Sequence, residues 1–106
     1  MMKSDARRGD VWMMDLGIAA KVRPCLLLTD FPVMEELALV TIIPHTTVLK
    51  GNPWEIKLEL PYLREGAFHL QQIQSVPINA LMRRLGVLSE ADYERILDKL
   101  ALRLSL

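Results

Sequence analysis

Glycine and proline divide the apolar residues of this 106-residue chain into short runs. Runs of this length, with β-branched and aromatic residues among them, are typical of strands rather than helices. Pro24 should take the first position of the second strand along the chain, and Pro44 should end the third strand. We therefore predict five or six strands, over residues 10–16, 25–29, 37–43, 54–60, a segment opening at Gly66, and 85–88.

The last part of the chain has the periodicity of an amphipathic helix. Ser89 is a suitable N-cap, and Asp92 three residues later approximates a capping box. Apolar residues then recur at spacings of three and four, which puts them on one helix face: Tyr93, Ile96, Leu97, Leu100, Ala101 and Leu104. A short helical turn is also expected around residues 78–82.

These elements predict a mainly β (α+β) fold. We expect a small, strongly bent antiparallel sheet or a partly open SH3-like barrel, with the C-terminal α-helix packed against it. The length is that of one domain, which we expect to span residues 1–106.

The alternation of the strand after Gly66 breaks at one place. Phe68 and Leu70 should point to one face, and His69 and Gln71 to the other. The second glutamine, Gln72, interrupts this alternation and predicts a β-bulge, a feature that is common beside functional sites.

Charge and composition exclude several classes of protein. Thirteen basic and thirteen acidic side chains cancel, so any nucleic-acid site must be local. The apolar runs are far shorter than the roughly 20 residues that cross a bilayer. The polar segment 1–8 lacks the apolar stretch of a secretory signal, so a cytoplasmic location is expected. Cys25 is the single cysteine and should be buried and inert.

No strong motif for a bound group is present. The sequence has no phosphate-binding glycine loop, no His-Glu-x-x-His pair and no cysteine ladder for zinc. Two histidines do not make a metal site alone, so neither metal nor cofactor is expected. The polar residues that remain at strand ends are Arg23, before one strand, and Thr46 and Thr47, after another.

Six segments in order resemble the MazF/PemK/Kid toxins, and together they cover nearly the whole chain from Arg7 onward. They are Arg8-Gly9-Asp10-Val11-Trp12, Arg23-Pro24 before an aliphatic strand, Ile43-Pro44-His45-Thr46-Thr47, Gln72-Ile73-Gln74-Ser75-Val76, Arg84-Leu85-Gly86-Val87-Leu88, and the closing helix. The resemblance implies a homodimeric, metal-independent endoribonuclease. Such an enzyme cuts single-stranded RNA at short sequences and is held in check by a cognate antitoxin with an acidic, partly disordered C-terminal segment.

The resemblance also implies roles for individual residues. Arg23 and Thr46 map onto the catalytic arginine and threonine of the family, with Thr47, His69, Gln71 and Lys21 as substrate-binding candidates. In the family's reaction the ribose 2′-hydroxyl attacks the adjacent phosphate and leaves a 2′,3′-cyclic phosphate and a free 5′-hydroxyl. A guanidinium suits the charge that develops on the phosphate oxygens, but its pKa above 12 makes it a poor base.

The chain departs from the family at one position that bears on catalysis. Many relatives carry an aspartate where Gln71 stands, and glutamine cannot accept a proton in its place. His69, two residues earlier, has the side chain suited to proton transfer near neutral pH, although a rim histidine without a catalytic role is the simpler interpretation.

Plain structural roles remain open for the other two candidates as well. Thr46 could satisfy a turn, and Arg23 could form a surface ion pair. Two further alternatives for the whole protein are an inactive relative that binds only RNA or an antitoxin peptide, and a structural dimerisation module.

Overall fold

The computed structural model describes residues 1–19 and 21–106, and its elements follow the predicted order. The strands are β1 (Asp10–Asp15), β2 (Val22–Leu27), β3 (Leu39–Thr46), β4 (Glu55–Ile56), β5 (Ala67–His69), β6 (Gln74–Pro77) and β7 (Leu81–Val87), and they are followed by the helix α1 (Glu90–Leu104). Three short 3₁₀ helices span Lys3–Asp5, Leu70–Gln72 and Ile78–Ala80.

The strands form an antiparallel sheet that does not close on itself. Its order is β4-β5-β3-β2-β1-β7, and β6 pairs with the first half of β3 on the same edge as β5. The predicted mainly β architecture with one C-terminal helix is confirmed. The described part of the chain has seven strands rather than the five or six predicted, and β6 is the strand that sequence reasoning missed.

The sheet carries an apolar cluster on each face, because alternate residues of a strand point to opposite sides. One cluster includes Trp12, Met14, Cys25, Leu27 and Ile42. The other includes Val11, Leu26, Ile43 and Phe68 and is covered by Ile96 and Leu100 of α1. The predicted burial of Cys25 is confirmed, and desolvation raises the pKa of its thiol to about 12.

Helix α1 begins as the sequence predicts. The Ser89 hydroxyl accepts a hydrogen bond from the Asp92 N–H at 3.1 Å, which satisfies one of the free donors of the first turn. Ile96 and Leu100 are buried, but Leu97 and Leu104 on the same predicted face remain 38% and 45% exposed. The described chain therefore covers only part of the apolar face of this helix.

The Arg-Gly-Asp-x-Trp segment has a structural role. The buried Asp10 carboxylate accepts hydrogen bonds from the Arg7 N–H at 3.0 Å, Trp12 Nε1 at 3.2 Å and Arg84 Nε at 3.3 Å. Gly9 before it has a φ of +91°, which L side chains rarely adopt. This motif ties the amino-terminal segment and β1 to β7.

Two predicted strand boundaries at prolines were wrong. β3 continues through Pro44 to Thr46, and Pro24 is the third residue of β2 rather than its first. Proline is tolerated in a sheet where no ladder bond is needed from its nitrogen. On one edge of β3 the pairing with β6 ends at Ile42 and that with β5 begins at His45, so Pro44 lies in the gap.

The predicted strand over residues 54–60 was mostly wrong. Only Glu55–Ile56 pairs in the sheet, because the neighbouring β5 is itself just three residues long. The alternation in the sequence appears as burial instead, with Ile56 and Leu58 buried and Lys57 exposed. The last predicted strand was too short, since β7 begins at Leu81 rather than Leu85.

The predicted interruption near Gln72 is present, but it is a 3₁₀ helix over Leu70–Gln72 rather than a bulge. His45 pairs with Phe68 and Ile42 with Gln74, so three residues of β3 correspond to six of the partner segment. The helix takes up the three extra residues. The expectation that His69 and Gln71 share a strand face was wrong, because Gln71 is no longer in a strand.

Residues 1–19 and 21–106 contain no helix with the length and apolar character needed to cross a bilayer.

Candidate active site

Neighbouring strands bring the two predicted catalytic residues together. β2 and β3 pair antiparallel with Cys25 opposite Pro44 and Leu26 opposite Ile43. When this register is continued by two residues, position 23 lies opposite position 46. Arg23 near the start of β2 and Thr46 at the end of β3 therefore occupy the same end of the sheet.

Both residues line one cleft with a volume of about 480 Å³, which we call the basic cleft. Lys21 and Thr47 also line it, so four of the six predicted site residues meet in one place. The lining is completed by the following residues: Met13, Val22, Pro24, His45, Val48, Tyr62, Leu63, Arg64, Arg83 and Leu85.

The basic cleft has a one-sided charge. Among the residues that the structure describes, its lining includes Lys21, Arg23, Arg64 and Arg83 but no aspartate or glutamate. The chain as a whole has a formal net charge of zero, so the cations are locally concentrated. Such a concentration attracts phosphates without a net basic charge on the molecule.

The Thr46 hydroxyl is held by the turn that follows β3. Its Oγ1 accepts a hydrogen bond from the Val48 N–H at 3.1 Å and lies 3.4 Å from the Val48 carbonyl oxygen. A hydroxyl donor normally sits 2.5–3.0 Å from its acceptor, so the second contact is weak. The turn-satisfying role considered from the sequence is therefore real, but it leaves the hydroxyl proton available to a phosphate oxygen.

His45 lies behind Thr46 as a buried part of the lining. Its ring packs edge-on against Phe68 with the centroids 5.0 Å apart, and only 4% of the residue is exposed. Desolvation lowers the pKa of the imidazole, which favours its neutral form. Within the described chain the buried Nε2 atom has no hydrogen-bond partner.

A glycine immediately before β5 permits this packing. A Cβ on Gly66 would lie 2.7 Å from His45 Cε1 and closer still to the Thr46 carbonyl oxygen. The absence of a side chain at position 66 thus allows β5 to approach the end of β3, where Ala67 pairs with Thr46.

His69 and Gln71 do not line the basic cleft. His69 pairs with Glu55 of the edge strand β4, and Gln71 is exposed on the 3₁₀ helix over Leu70–Gln72. The Nδ1 atom of His69 is buried without a hydrogen-bond partner in the described chain. Their role in substrate binding stays a prediction.

Sequence reasoning did not name four polar residues of the cleft as site residues: His45, Tyr62, Arg64 and Arg83. Arg83 lies in β7, opposite Met13, in the part of that strand that the prediction left out. Tyr62 and Arg64 belong to the segment between β4 and β5, whose position over the cleft depends on tertiary contacts. Only His45 had a signal in the sequence, since it stands next to Thr46; residues 81–85, Leu-Met-Arg-Arg-Leu, do not alternate between apolar and polar and gave none for Arg83.

Among the described residues, no three His, Cys, Asp or Glu side chains are grouped closely enough to hold a metal ion.

Sequence comparison places nearly the whole chain in one family. Residues 7–104 match the family described as the PemK-like, MazF-like toxin of type II toxin–antitoxin systems. The chain is 30% identical over 86 residues to the protein named "Probable endoribonuclease MazF5" from Mycobacterium tuberculosis, with 78% of each chain covered.

Structural comparison shows that solved proteins share the fold of this chain. A structure of MazE-MazF from Deinococcus radiodurans superposes with a TM-score of 0.80 at 18% identity, covering 96% of this chain and 97% of the other. An endoribonuclease in complex with its cognate antitoxin, from a mycobacterial species, superposes with a TM-score of 0.77 at 24% identity, covering 94% and 95%.

Proposed function

Because this chain belongs to the family of PemK-like and MazF-like toxins of type II toxin–antitoxin systems, we propose that it is an endoribonuclease that cuts single-stranded RNA. The proposal is supported by the convergence of Arg23 and Thr46 in a cleft whose described lining has four cationic side chains and no carboxylate. Cationic side chains suit a phosphodiester, because they neutralise its negative charge.

The proposed reaction is attack of the ribose 2′-hydroxyl on the adjacent phosphate. Negative charge then grows on the non-bridging oxygens, and the Arg23 guanidinium can meet it with two parallel hydrogen bonds. Thr46 donates its hydroxyl to one of these oxygens, and Thr47 beside it supplies a further donor. Lys21 at the edge of the cleft binds a flanking phosphate. As the bond from the 2′-oxygen to phosphorus forms, the bond from phosphorus to the 5′-oxygen breaks, the 2′-hydroxyl gives up its proton and the departing 5′-oxygen takes one up. The products are a 2′,3′-cyclic phosphate and a 5′-hydroxyl, and no metal ion takes part.

The decisive experiment is cleavage in the presence of EDTA. The purified protein is incubated with a mixed-sequence RNA, and the new ends are analysed for cyclic phosphate and 5′-hydroxyl groups. Discrete fragments with these ends support the proposal. Binding of RNA without cleavage would instead identify the inactive, binding-only relative.

Variants of Arg23 test the role of its guanidinium. Arg23→Ala should lower kcat about 10²- to 10³-fold, because it removes a donor that acts on charge developing in the transition state. Arg23→Lys keeps the charge without the planar fork and should recover only part of the loss. The matched control is Arg95→Ala, since Arg95 is exposed on α1 outside the cleft and should leave kcat unchanged.

At position 46 the comparison is between serine and valine. Thr46→Ser keeps the hydroxyl and should stay close to the wild-type rate, whereas the nearly isosteric Thr46→Val should lose about 10²-fold. Equal rates for the two variants would remove the hydroxyl from the mechanism.

The histidine hypothesis can be tested separately, since His69 lies outside the cleft. If His69 takes over acid–base work from the missing aspartate, His69→Ala will change both the rate and its dependence on pH. Unchanged cleavage with an unchanged pH profile would limit His69 and Gln71 to structural or RNA-contacting roles.

We further propose that the protein acts in the cytoplasm as a homodimer of single-domain protomers spanning residues 1–106. Apolar side chains that a second copy could cover remain exposed at Met82 and Val87. The solved relatives in complex with antitoxin support a similar partner here, whose acidic segment would be attracted to the basic cleft. Analytical ultracentrifugation that shows a monomer at micromolar concentration would contradict the dimer.

A further inference from the structure

The lining of the basic cleft is only partly cationic. Besides Arg23 and Arg83, the cleft is lined by the apolar side chains of Met13, Pro24 and Leu85 and by Tyr62. Cations alone would suffice to hold phosphates. Apolar and aromatic surface inside a cationic cleft is what an unstacked nucleobase requires, because each base has a flat apolar face.

The Tyr62 ring is held in place by β7. Its hydroxyl donates a hydrogen bond to the Val87 carbonyl oxygen at 3.1 Å. Position 86 is a glycine, and a Cβ there would lie 2.5 Å from Tyr62 Cζ and 2.7 Å from Cδ1, so only glycine leaves room for the ring. An aromatic ring whose position is already set loses little conformational entropy when a base stacks on it.

The sheet also fixes how far Arg83, which lines the same cleft as Tyr62, lies from the proposed reaction centre. Met13 of β1 pairs with Arg83 of β7 on one side and with Pro24, the neighbour of Arg23, on the other. Two strand spacings therefore separate Arg83 from the Arg23 side, which amounts to about 10 Å. This separation accommodates a nucleotide next to the one that is cut.

We propose that Tyr62 stacks on a nucleobase flanking the scissile linkage, and that Arg83 neutralises the phosphate of that nucleotide. The inference rests on the proposed RNA cleavage and adds to it the residues that select or orient a neighbouring base. Tyr62 stays neutral in this role, because burial raises the pKa of its phenol.

The test is a coupling measurement between the ring and individual bases. Cleavage mapping first defines a short RNA substrate, and a 2′-deoxy sugar at the scissile nucleotide then prevents cutting while leaving the bases intact. Dissociation constants are measured for this oligonucleotide and for a series in which one base at a time is missing. Wild type is compared with Tyr62→Leu, which keeps an apolar side chain, and with Tyr62→Phe, which keeps the ring.

Stacking on an aromatic side chain predicts that Tyr62→Leu weakens binding roughly 5- to 150-fold. Removal of one particular flanking base should weaken binding to wild type by a similar factor, yet have no further effect on Tyr62→Leu. Tyr62→Phe should bind like wild type and keep its dependence on that base. If Tyr62→Phe is as weak as Tyr62→Leu, the ring acts only through its bond to Val87 and the inference fails.

A second measurement uses the unaltered protein and so does not depend on a variant folding. Oligonucleotides with 5-iodouracil at each flanking position are irradiated in complex with wild type, and the crosslinked residue is identified by mass spectrometry. A crosslink to Tyr62 supports the inference, and crosslinks found only at other residues overturn it. Wild-type protein that cuts RNA but shows no coupling refutes this inference alone, whereas absence of cutting refutes the proposed function.

Discussion

Gly66 offers a sharp test of how the sheet positions Thr46, because the substitution to alanine adds a single methyl group. Alanine at this position would place its Cβ 2.7 Å from His45 Cε1, whereas ordinary contacts begin at 3.4 Å. The imidazole must therefore move by at least 0.7 Å, and the nearer Thr46 carbonyl must move further. The φ of Gly66 is not in the left-handed region, so the effect is steric rather than conformational.

The displaced groups belong to the proposed active site. Overpacking of this kind costs about 1–3 kcal/mol of stability, partly offset by the lower entropy of the unfolded alanine chain. A displacement approaching 1 Å at a catalytic group can lower kcat/KM by about 10²-fold. We expect Gly66→Ala to remain folded, with a urea midpoint lower by about 1 M, and to lose most of its cleavage activity.

Gly51→Ala is the matched control. Its φ of +77° makes alanine strained, but a Cβ there meets nothing within 4 Å. It should lose about 1–2 kcal/mol of stability through backbone strain and keep its kcat. Stability is measured by urea unfolding and activity by cleavage of a defined RNA. Cleavage by Gly66→Ala at the wild-type rate would refute the claim that β5 sets the position of Thr46.

Three further predictions follow from buried polar groups. Asp10→Ala should lower the free energy of unfolding by about 2 kcal/mol, measured by urea unfolding, because three donors lose a buried charged acceptor. Burial lowers the pKa of His45 below its ordinary value of 6.5, so the unfolded state binds the proton more tightly, and this part of the stability is present above pH 6.5 and lost as the pH falls. Wild type should therefore lose more stability on acidification than His45→Gln, and equal losses would contradict the shift. Cys25, with a pKa of about 12, should resist iodoacetamide at about pH 8 in the native protein and react once urea unfolds it.

Local patterns in the sequence predicted the elements whose stability depends on neighbouring residues. The Ser89 cap and the three- and four-residue spacing around Ile96 and Leu100 are sufficient to predict α1. The first strand was predicted within one residue, since Gly17 ends its pattern. Arg23 and Thr46 were recognised through the family resemblance and because each stands beside an apolar run.

Predictions failed where pairing partners decided the outcome. Alternation over residues 54–60 indicates a seven-residue strand, but the short β5 provides ladder bonds only to Glu55 and Ile56. Pro44 indicates a strand end in the sequence. In the structure neither β5 nor β6 pairs with β3 at Pro44, so no ladder bond there requires the N–H that proline lacks. Backbone ladder bonds are the same for every residue type except proline, so the sequence carries little information about which strand runs beside which.

The same distinction holds for the candidate site. The amino-acid sequence alone determined which side chains could do phosphate chemistry and which segments would be buried. Only the tertiary structure decided that Arg83 of β7 and Tyr62 and Arg64 of the segment before β5 join Arg23 in one cleft, while His69 does not. The physical reason is that burial and helix periodicity act between residues close in the chain, whereas a cleft is formed by non-local strand pairing and loop packing.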